Sequence, residues 1–190
     1  MMHHRGRIEG HAIVSADGMI ANAEGQIPPS LVFEADQRLF MRAVEAADLV
    51  VHGRHSAEKP ASSTRRRLIV TSRVPGIAAD PSNTNVLLWN PAGASFEQAV
   101  AGLGSPHDTI AILGGTSVFD LFLNRYDAFH LSRAADARIP GGRPVFPGVP
   151  ASSPEDVLRS HGLVPDAPHV LDREHALTLT IWRQAQVNGT

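Results

Sequence analysis

Apolar and polar residues change rhythm several times along the chain, and each change marks an element. Residues Glu9–Ser15 alternate as a strand with one buried face does, and Ala16–Ser30 ("ADGMIANAEGQIPPS") is a Gly/Pro-rich loop. From Phe33 to Ala47 the apolar residues recur every three or four positions, which predicts an amphipathic helix. Short apolar runs follow at Leu49–His52, Leu68–Thr71 and Val86–Trp89, and a second helix is expected from Ser95 to about Leu103. Ile110–Leu113 is continuously apolar, the mark of a strand buried on both faces; Val118, Leu121 and Phe122 then return at helical spacing. Ala128–Ser132 and Leu177–Trp182 read as further strands. Strands alternating with helices imply one α/β domain over residues 1–190, built on a largely parallel sheet covered on both faces. After Phe146 only Pro154–Ser160 has a helical pattern, so the closing run is expected to add antiparallel edge strands. The Pro/His-rich stretch 150–175 leaves loop, edge strand and interface open.

Composition narrows the function classes. An apolar fraction of 43% with 19% charged residues excludes a disordered chain, and a net charge of −2 gives no field for nucleic acid or an anionic membrane. The chain has no cysteine, which removes disulfides, thiolate catalysis and cysteine-ligated metals. Its start, "MMHHRGRIEGHAIVS", lacks the apolar core of a signal peptide, and no apolar run approaches membrane-spanning length. A cytoplasmic protein, monomer or homodimer, is the expectation. The ten histidines are scattered, with His52 and His55 straddling a strand end and His130 alternating in a strand, so no metal site is expected.

Three strand ends suit an anion. The first carries Gly53, Arg54, His55 and Ser56; the second Thr71, Ser72 and Arg73; the third Gly114, Gly115, Thr116 and Ser117 at a helix start. In open α/β sheets ligands bind beyond the carboxyl ends of the strands, and hydroxyls, guanidinium groups and free backbone N–H groups there hold phosphates. Turn and cap chemistry explains any one of these loops alone; three in one sheet point to a dinucleotide. The G-x-G-x-x-G fingerprint is absent. Arg54 with Arg73 would suit an additional monophosphate, favouring NADP over NAD. Gly114 and Gly115 either tighten the turn or bring backbone close to a ligand.

The helix over Phe33–Ala47 carries a misplaced acid. Phe33, Leu39, Phe40, Ala43, Val44 and Ala47 share one face, with Glu34, Arg38, Arg42 and Glu45 opposite; Asp36 falls on the apolar side. A carboxylate there is costly unless hydrogen-bonded or protonated. It either bonds backbone at the helix start or serves as a lone acid that hydrogen-bonds a substrate ring.

Together these residues resemble the dihydrofolate reductase family, in the superfamily that includes the reductase domain of riboflavin biosynthesis, over residues 8–147. "SADGMIA" is similar to the first strand and the start of the mobile active-site loop, "EADQRLF" to the helix bearing the family's acid, "GRHS" and "TSR" to the cofactor loops, "ILGGTSVF" to the Gly-Gly segment, "FHLSR" to the segment whose hydroxyl, here Ser132, is linked to the acid, and "GGRPVFP" to the loop before the closing strands. The resemblance implies a three-layer α-β-α fold with a central mixed, mostly parallel sheet. It implies Asp36 and Ser132 as catalytic residues, and Phe33, Phe40 and Arg65 as substrate contacts. NADPH would be held by Gly53–Ser56, Thr71–Arg73 and Gly114–Val118, with a cis peptide between the two glycines. The implied activity is hydride transfer to the C=N bond of dihydrofolate or a related dihydropterin. The loop "NAEGQIPPS" lacks the tryptophan the family usually has, which keeps open a riboflavin-pathway ribosylaminopyrimidine as substrate. A non-catalytic NADP-binding protein of the same fold is the alternative from another class.

Overall fold

The computed structural model describes residues 6–55, 64–104 and 107–185. In chain order the elements are β1 (Arg7–Ser15), β2 (Met19–Ala21), a 3-10 turn (Pro29–Leu31), α1 (Glu34–Ala46), β3 (Leu49–Gly53), β4 (Arg67–Val70), β5 (Ile77–Asp80), β6 (Asn83–Trp89), α2 (Phe96–Ala101), β7 (Thr109–Ile112), α3 (Thr116–Leu121), β8 (Ala128–Ala134), β9 (Arg143–Pro144), α4 (Pro154–Ser160), β10 (Leu163–Pro165), β11 (His169–Asp172) and β12 (Leu177–Gln184). Each strand and helix expected from periodicity is present, with ends shifted by one to three residues. The stretch 150–175 supplies α4 and the edge strands β10 and β11.

Ten strands form one mixed sheet in the order β10-β12-β8-β1-β7-β3-β4-β6-β5, with β11 also pairing β12. Strands β8, β1, β7, β3, β4 and β6 run parallel; β12 pairs antiparallel to β8 and β5 antiparallel to β6. The parallel centre sends six chain exits to one edge: those after Ser15, Gly53, Val70, Trp89, Ile112 and Ala134.

Side chains alternate across the sheet, and the two faces are filled differently. Leu49 and Val51 of β3 and Ile110 and Ile112 of β7 join the main core with Phe96 of α2, Val118 and Phe119 of α3 and Leu158 of α4. Val50 and Ala111, one residue out of phase, face the other way and pack only on Val44 and Ala47 at the end of α1, with Phe40 and Leu113 beside them. Among the described residues α1 is the one helix on that face, and Val44 is its one fully buried residue. The helix is therefore held lightly, and the polar groups beneath it stay within reach of solvent. Its C-terminus is fastened by Arg65, whose guanidinium donates to the Val44 carbonyl. That carbonyl belongs to the last helical turn, which lacks intrahelical partners and carries the negative end of the dipole.

Candidate active site

Asp36 lies in the first turn of α1, which begins after Phe33 without a side-chain cap. The acid is half-buried and lies by the buried Ser132 hydroxyl of β8. Burial pushes its carboxyl above the ordinary carboxylate range, and the Ser132 hydroxyl pulls only partly against this. Ile13 of β1 pairs with Ser132 in the parallel register, so the acid and hydroxyl stand over the carboxyl half of two neighbouring strands. Phe40 lies one turn further along α1, packed with Val44 and Ala111. Phe33 flanks the start of the helix, its ring 5.8 Å from that of His175. It lines a cleft of about 420 Å³ with Pro29, Val32, Asp136, Ala137 and His175.

The loop after β1 is tied down beside this pair. Asp17 accepts from the Ser15 hydroxyl at 2.5 Å and from the Ile139 N–H at 3.1 Å, and Ser15 accepts from the Met19 N–H. Burial pushes the Asp17 carboxyl up, but these donors outweigh it and hold the group below its ordinary range. Arg133 adds bonds to the Ser15 and Ala16 carbonyls while pairing with Glu155. The sequence reading did not single out Asp17 or Arg133; Asp17 was within the "SADGMIA" match.

The anion-suited loops meet at the same edge. The Gly53 N–H donates to the Gly114 carbonyl at 2.7 Å, joining the first loop to the third. Arg54 and His55 are exposed just past β3, with the Arg54 guanidinium 2.9 Å from the His55 ring nitrogen. In the next loop, Thr71 accepts from the Arg73 N–H, leaving Ser72 and Arg73 exposed. The Gly114–Gly115 peptide is cis, as the resemblance implied. Gly114 has φ +93°, and its missing side chain is what lets the Phe119 ring pack against the backbone. Thr116 turns away and donates its hydroxyl to the Pro144 carbonyl, Ser117 is exposed and Val118 is buried. Ser56 lies outside the described residues.

Arg65 differs in placement from the other candidates. Its hydrogen bond to Val44 sets it eight residues beyond Asp36, about 12 Å along the helix axis.

No protein-family model matches the chain, and no curated protein matches it in sequence. Solved structures do. Dihydrofolate reductase from Enterococcus faecalis, in complex with NADP(H) and RAB-propyl, aligns with a TM-score of 0.63 at 19% identity, covering 96% of this chain and 98% of that one. The fold is that of dihydrofolate reductase. A protein of riboflavin biosynthesis from Shewanella sp. PV-4 aligns with a TM-score of 0.60 at 17% identity over 95% of this chain and 99% of that one. A bifunctional diaminohydroxyphosphoribosylaminopyrimidine deaminase and 5-amino-6-(5-phosphoribosylamino)uracil reductase from Thermotoga maritima aligns with a TM-score of 0.62 at 16% identity; the match covers 95% of this chain and 57% of the Thermotoga protein. Within this dihydrofolate reductase-like fold the Asp36–Ser132 pair and the Gly53 and Gly114 loops occupy one edge of the sheet. No helix among the described residues is long and apolar enough to cross a membrane.

Proposed function

We propose that the protein is an NADPH-dependent reductase of a small heterocycle, acting on the C=N bond of dihydrofolate or a related dihydropterin. The observation that carries this reading is the half-buried Asp36 beside the Ser132 hydroxyl, an acid at the sheet edge where the basic and hydroxyl-bearing loops also end. The donor set fits the cofactor: Gly53–His55, Thr71–Arg73 and Gly114–Val118 offer two arginines, the hydroxyls of Thr71, Ser72 and Ser117 and backbone N–H groups, with no carboxylate to repel phosphate. Arg54, Ser72 and Arg73 would hold the phosphates, and Gly114–Gly115 would lie beside the reacting ring. A bound reduced nicotinamide supplies the hydride.

The chain's own residues supply orientation and a proton. With its pKa raised, Asp36 keeps its proton to higher pH than an exposed aspartate, and Ser132 fixes which way the carboxyl points. An acid so placed hydrogen-bonds a ring nitrogen and holds a proton beside the C=N bond that is reduced. Phe33 and Phe40 give the flat substrate an apolar wall. The loop over residues 16–30, fastened by Asp17 to Ile139, keeps water from the ring.

A ribosylaminopyrimidine of the riboflavin pathway is the second reading. It is favoured by the absence of tryptophan from residues 16–30 and by the commitment of Arg65 to Val44, which takes from the pocket the cation suited to an acidic tail.

Purified protein would be titrated with NADPH by fluorescence, then assayed for NADPH oxidation with dihydrofolate and with the aminopyrimidine. Turnover of either that is lost in Asp36→Asn, with NADPH binding retained, is expected and tells the two substrates apart. Binding without turnover of either would favour a non-catalytic NADP-binding protein. Absence of NADPH binding would overturn the reading.

A further inference from the structure

The sheet face under α1 carries a second cluster, distinct from Asp36 and Ser132. Glu9 and His11 are two residues apart on β1, so both point to the same face. The parallel register sets His130 of β8 beside His11, and the two imidazoles stack with centroids 4.4 Å apart and planes 19° apart. His130 Nε2 lies 3.3 Å from Glu9 Oε2, and His11 Nε2 lies 3.8 Å from the same oxygen. One ligand atom from each residue falls within 4.8 Å of the others. The second carboxylate oxygen of Glu9, Oε1, is taken by the Arg7 guanidinium, which fixes the group with Oε2 turned to the rings.

We propose that Glu9, His11 and His130 form a binding site for a divalent transition-metal ion of the zinc type. Two imidazole nitrogens and one carboxylate oxygen are a donor set that zinc takes, and an all-oxygen set would be needed for calcium or magnesium. With zinc-to-ligand distances of about 2.0–2.2 Å, tetrahedral donors stand roughly 3.3–3.5 Å apart. Of the three donor pairs, Glu9–His130 already meets this spacing and Glu9–His11 needs a shift of about half an ångström, while the two stacked imidazoles must turn out of their stack for both ring nitrogens to aim at one ion. His130 Nε2 is buried and makes no well-angled hydrogen bond, with Glu9 Oε2 its neighbour at 3.3 Å. The His130 side chain keeps 22% of its surface exposed, on a face that one helix covers. Arg7 is the outer partner that orients the carboxylate, the kind of support that ligating groups usually have.

The test uses the full chain, stripped with a chelator and titrated with Zn²⁺ against a chromophoric competitor; Co²⁺ then serves as a spectroscopic probe. One equivalent of Zn²⁺ is expected, weakened tenfold or more in Glu9→Gln and in His130→Gln and unchanged in His55→Gln and His175→Gln. The loaded protein should melt higher than the stripped one in the parent and not in the two cluster variants, because the ion binds the folded chain. Bound Co²⁺ should give the strong visible bands of a four- or five-coordinate site. Should His130→Gln or Glu9→Gln fail to fold, X-ray absorption of the Zn²⁺-loaded parent decides: two imidazoles and one carboxylate support the site, and any other ligand set overturns it. No stoichiometric binding, or binding that survives both cluster variants, also overturns it. Asp36→Asn should leave Zn²⁺ affinity unchanged, so this result stands apart from that of the reductase assay.

Discussion

Gly114→Ala puts the junction between the cofactor loops under direct load. The structure gives two separate costs. At φ +93° an alanine sits in backbone space that L residues avoid, at about 1–3 kcal/mol. Its Cβ would also stand 2.5 Å from Cε2 and 2.7 Å from Cζ of Phe119. Carbon atoms pack at roughly 3.5–4.0 Å, so the ring must retreat by about 1 Å. Phe119 is 2% exposed and set edge-on to Phe129 and Phe146, so the ring has nowhere to go without moving them. Overpacking of this kind costs about 1–3 kcal/mol, which brings the expected loss to roughly 2–6 kcal/mol.

Urea unfolding measures that loss, read from the midpoint at unchanged slope. Gly141 and Gly104 are the controls, with φ +71° and +78° and nothing within 4 Å of an added Cβ. Their alanine variants meet the backbone cost alone, about 1–2 kcal/mol, so the excess in Gly114→Ala reports the Phe119 overlap. Adding Phe119→Leu to Gly114→Ala should recover part of that excess, a coupling between neighbours that a double-mutant cycle isolates. Because the Gly114 carbonyl accepts from the Gly53 N–H at 2.7 Å, any displacement reaches the first cofactor loop, and NADPH affinity should fall about tenfold or more. If Gly114→Ala unfolds no more easily than Gly141→Ala, the packing argument is wrong.

Three further outcomes are expected. Asp36→Asn should lower turnover by about 10²–10⁴-fold, by the usual worth of a positioned acid, and leave folding stability equal or higher. The sign follows from the raised pKa: the folded state binds this proton more tightly than the unfolded one, so ionisation costs stability as pH rises through the folded pKa, and asparagine removes that cost; denaturation at pH 7.5 checks it. Arg54→Ala with Arg73→Ala should weaken NADPH much more than NADH, and the remaining NADPH affinity should depend less on salt; paired fluorescence titrations at two ionic strengths measure both. Asp17→Ala should cost about 1–3 kcal/mol by stranding the Ser15 hydroxyl and the Ile139 N–H, with faster amide exchange at Met19 and Ile139. The parent's Asp17 contribution is present above the unfolded value of 3.8 and lost as pH falls through the lowered folded pKa, so the variant should be the less acid-sensitive of the two.

How much of this was legible depends on whether the information is local. Helix α1 announces itself by the period of its apolar residues, and strands β3 and β7 by continuous apolar runs, because they are buried on both faces. The edge strands do not: β5 is "IAAD" with exposed Ile77, and β10 and β11 carry exposed Val164 and Val170, so no buried period marks them. Asp36 stood out locally as an acid on an apolar face, but its partner Ser132 came only through the resemblance. Arg65 shows the reverse failure: among Arg65, Arg66 and Arg67 nothing in the sequence says which guanidinium answers the Val44 carbonyl, since that is settled where β4 passes the end of α1.

The histidine pair makes the physical reason plain. Glu9 and His11 share a face by strand geometry alone, and two of the three cluster residues could be read from "IEGHA". His130 joins them because β1 and β8 pair in the register His11↔His130, and neither strand records that register. In a hairpin a short turn fixes the pairing, but parallel neighbours joined through more than a hundred residues have only their buried faces to set it. Here those faces do so strongly. Phe129 and Leu131 of β8 are buried with Ile8 and Val14 of β1, and a slip of one residue would turn them to the α1 side. The same slip would carry His130 into the core and take Ser132 away from Asp36. The hydrophobic set that fixes the register therefore fixes both the acid pair and the proposed metal site, and core substitutions at Phe129 or Leu131 should disturb the two together.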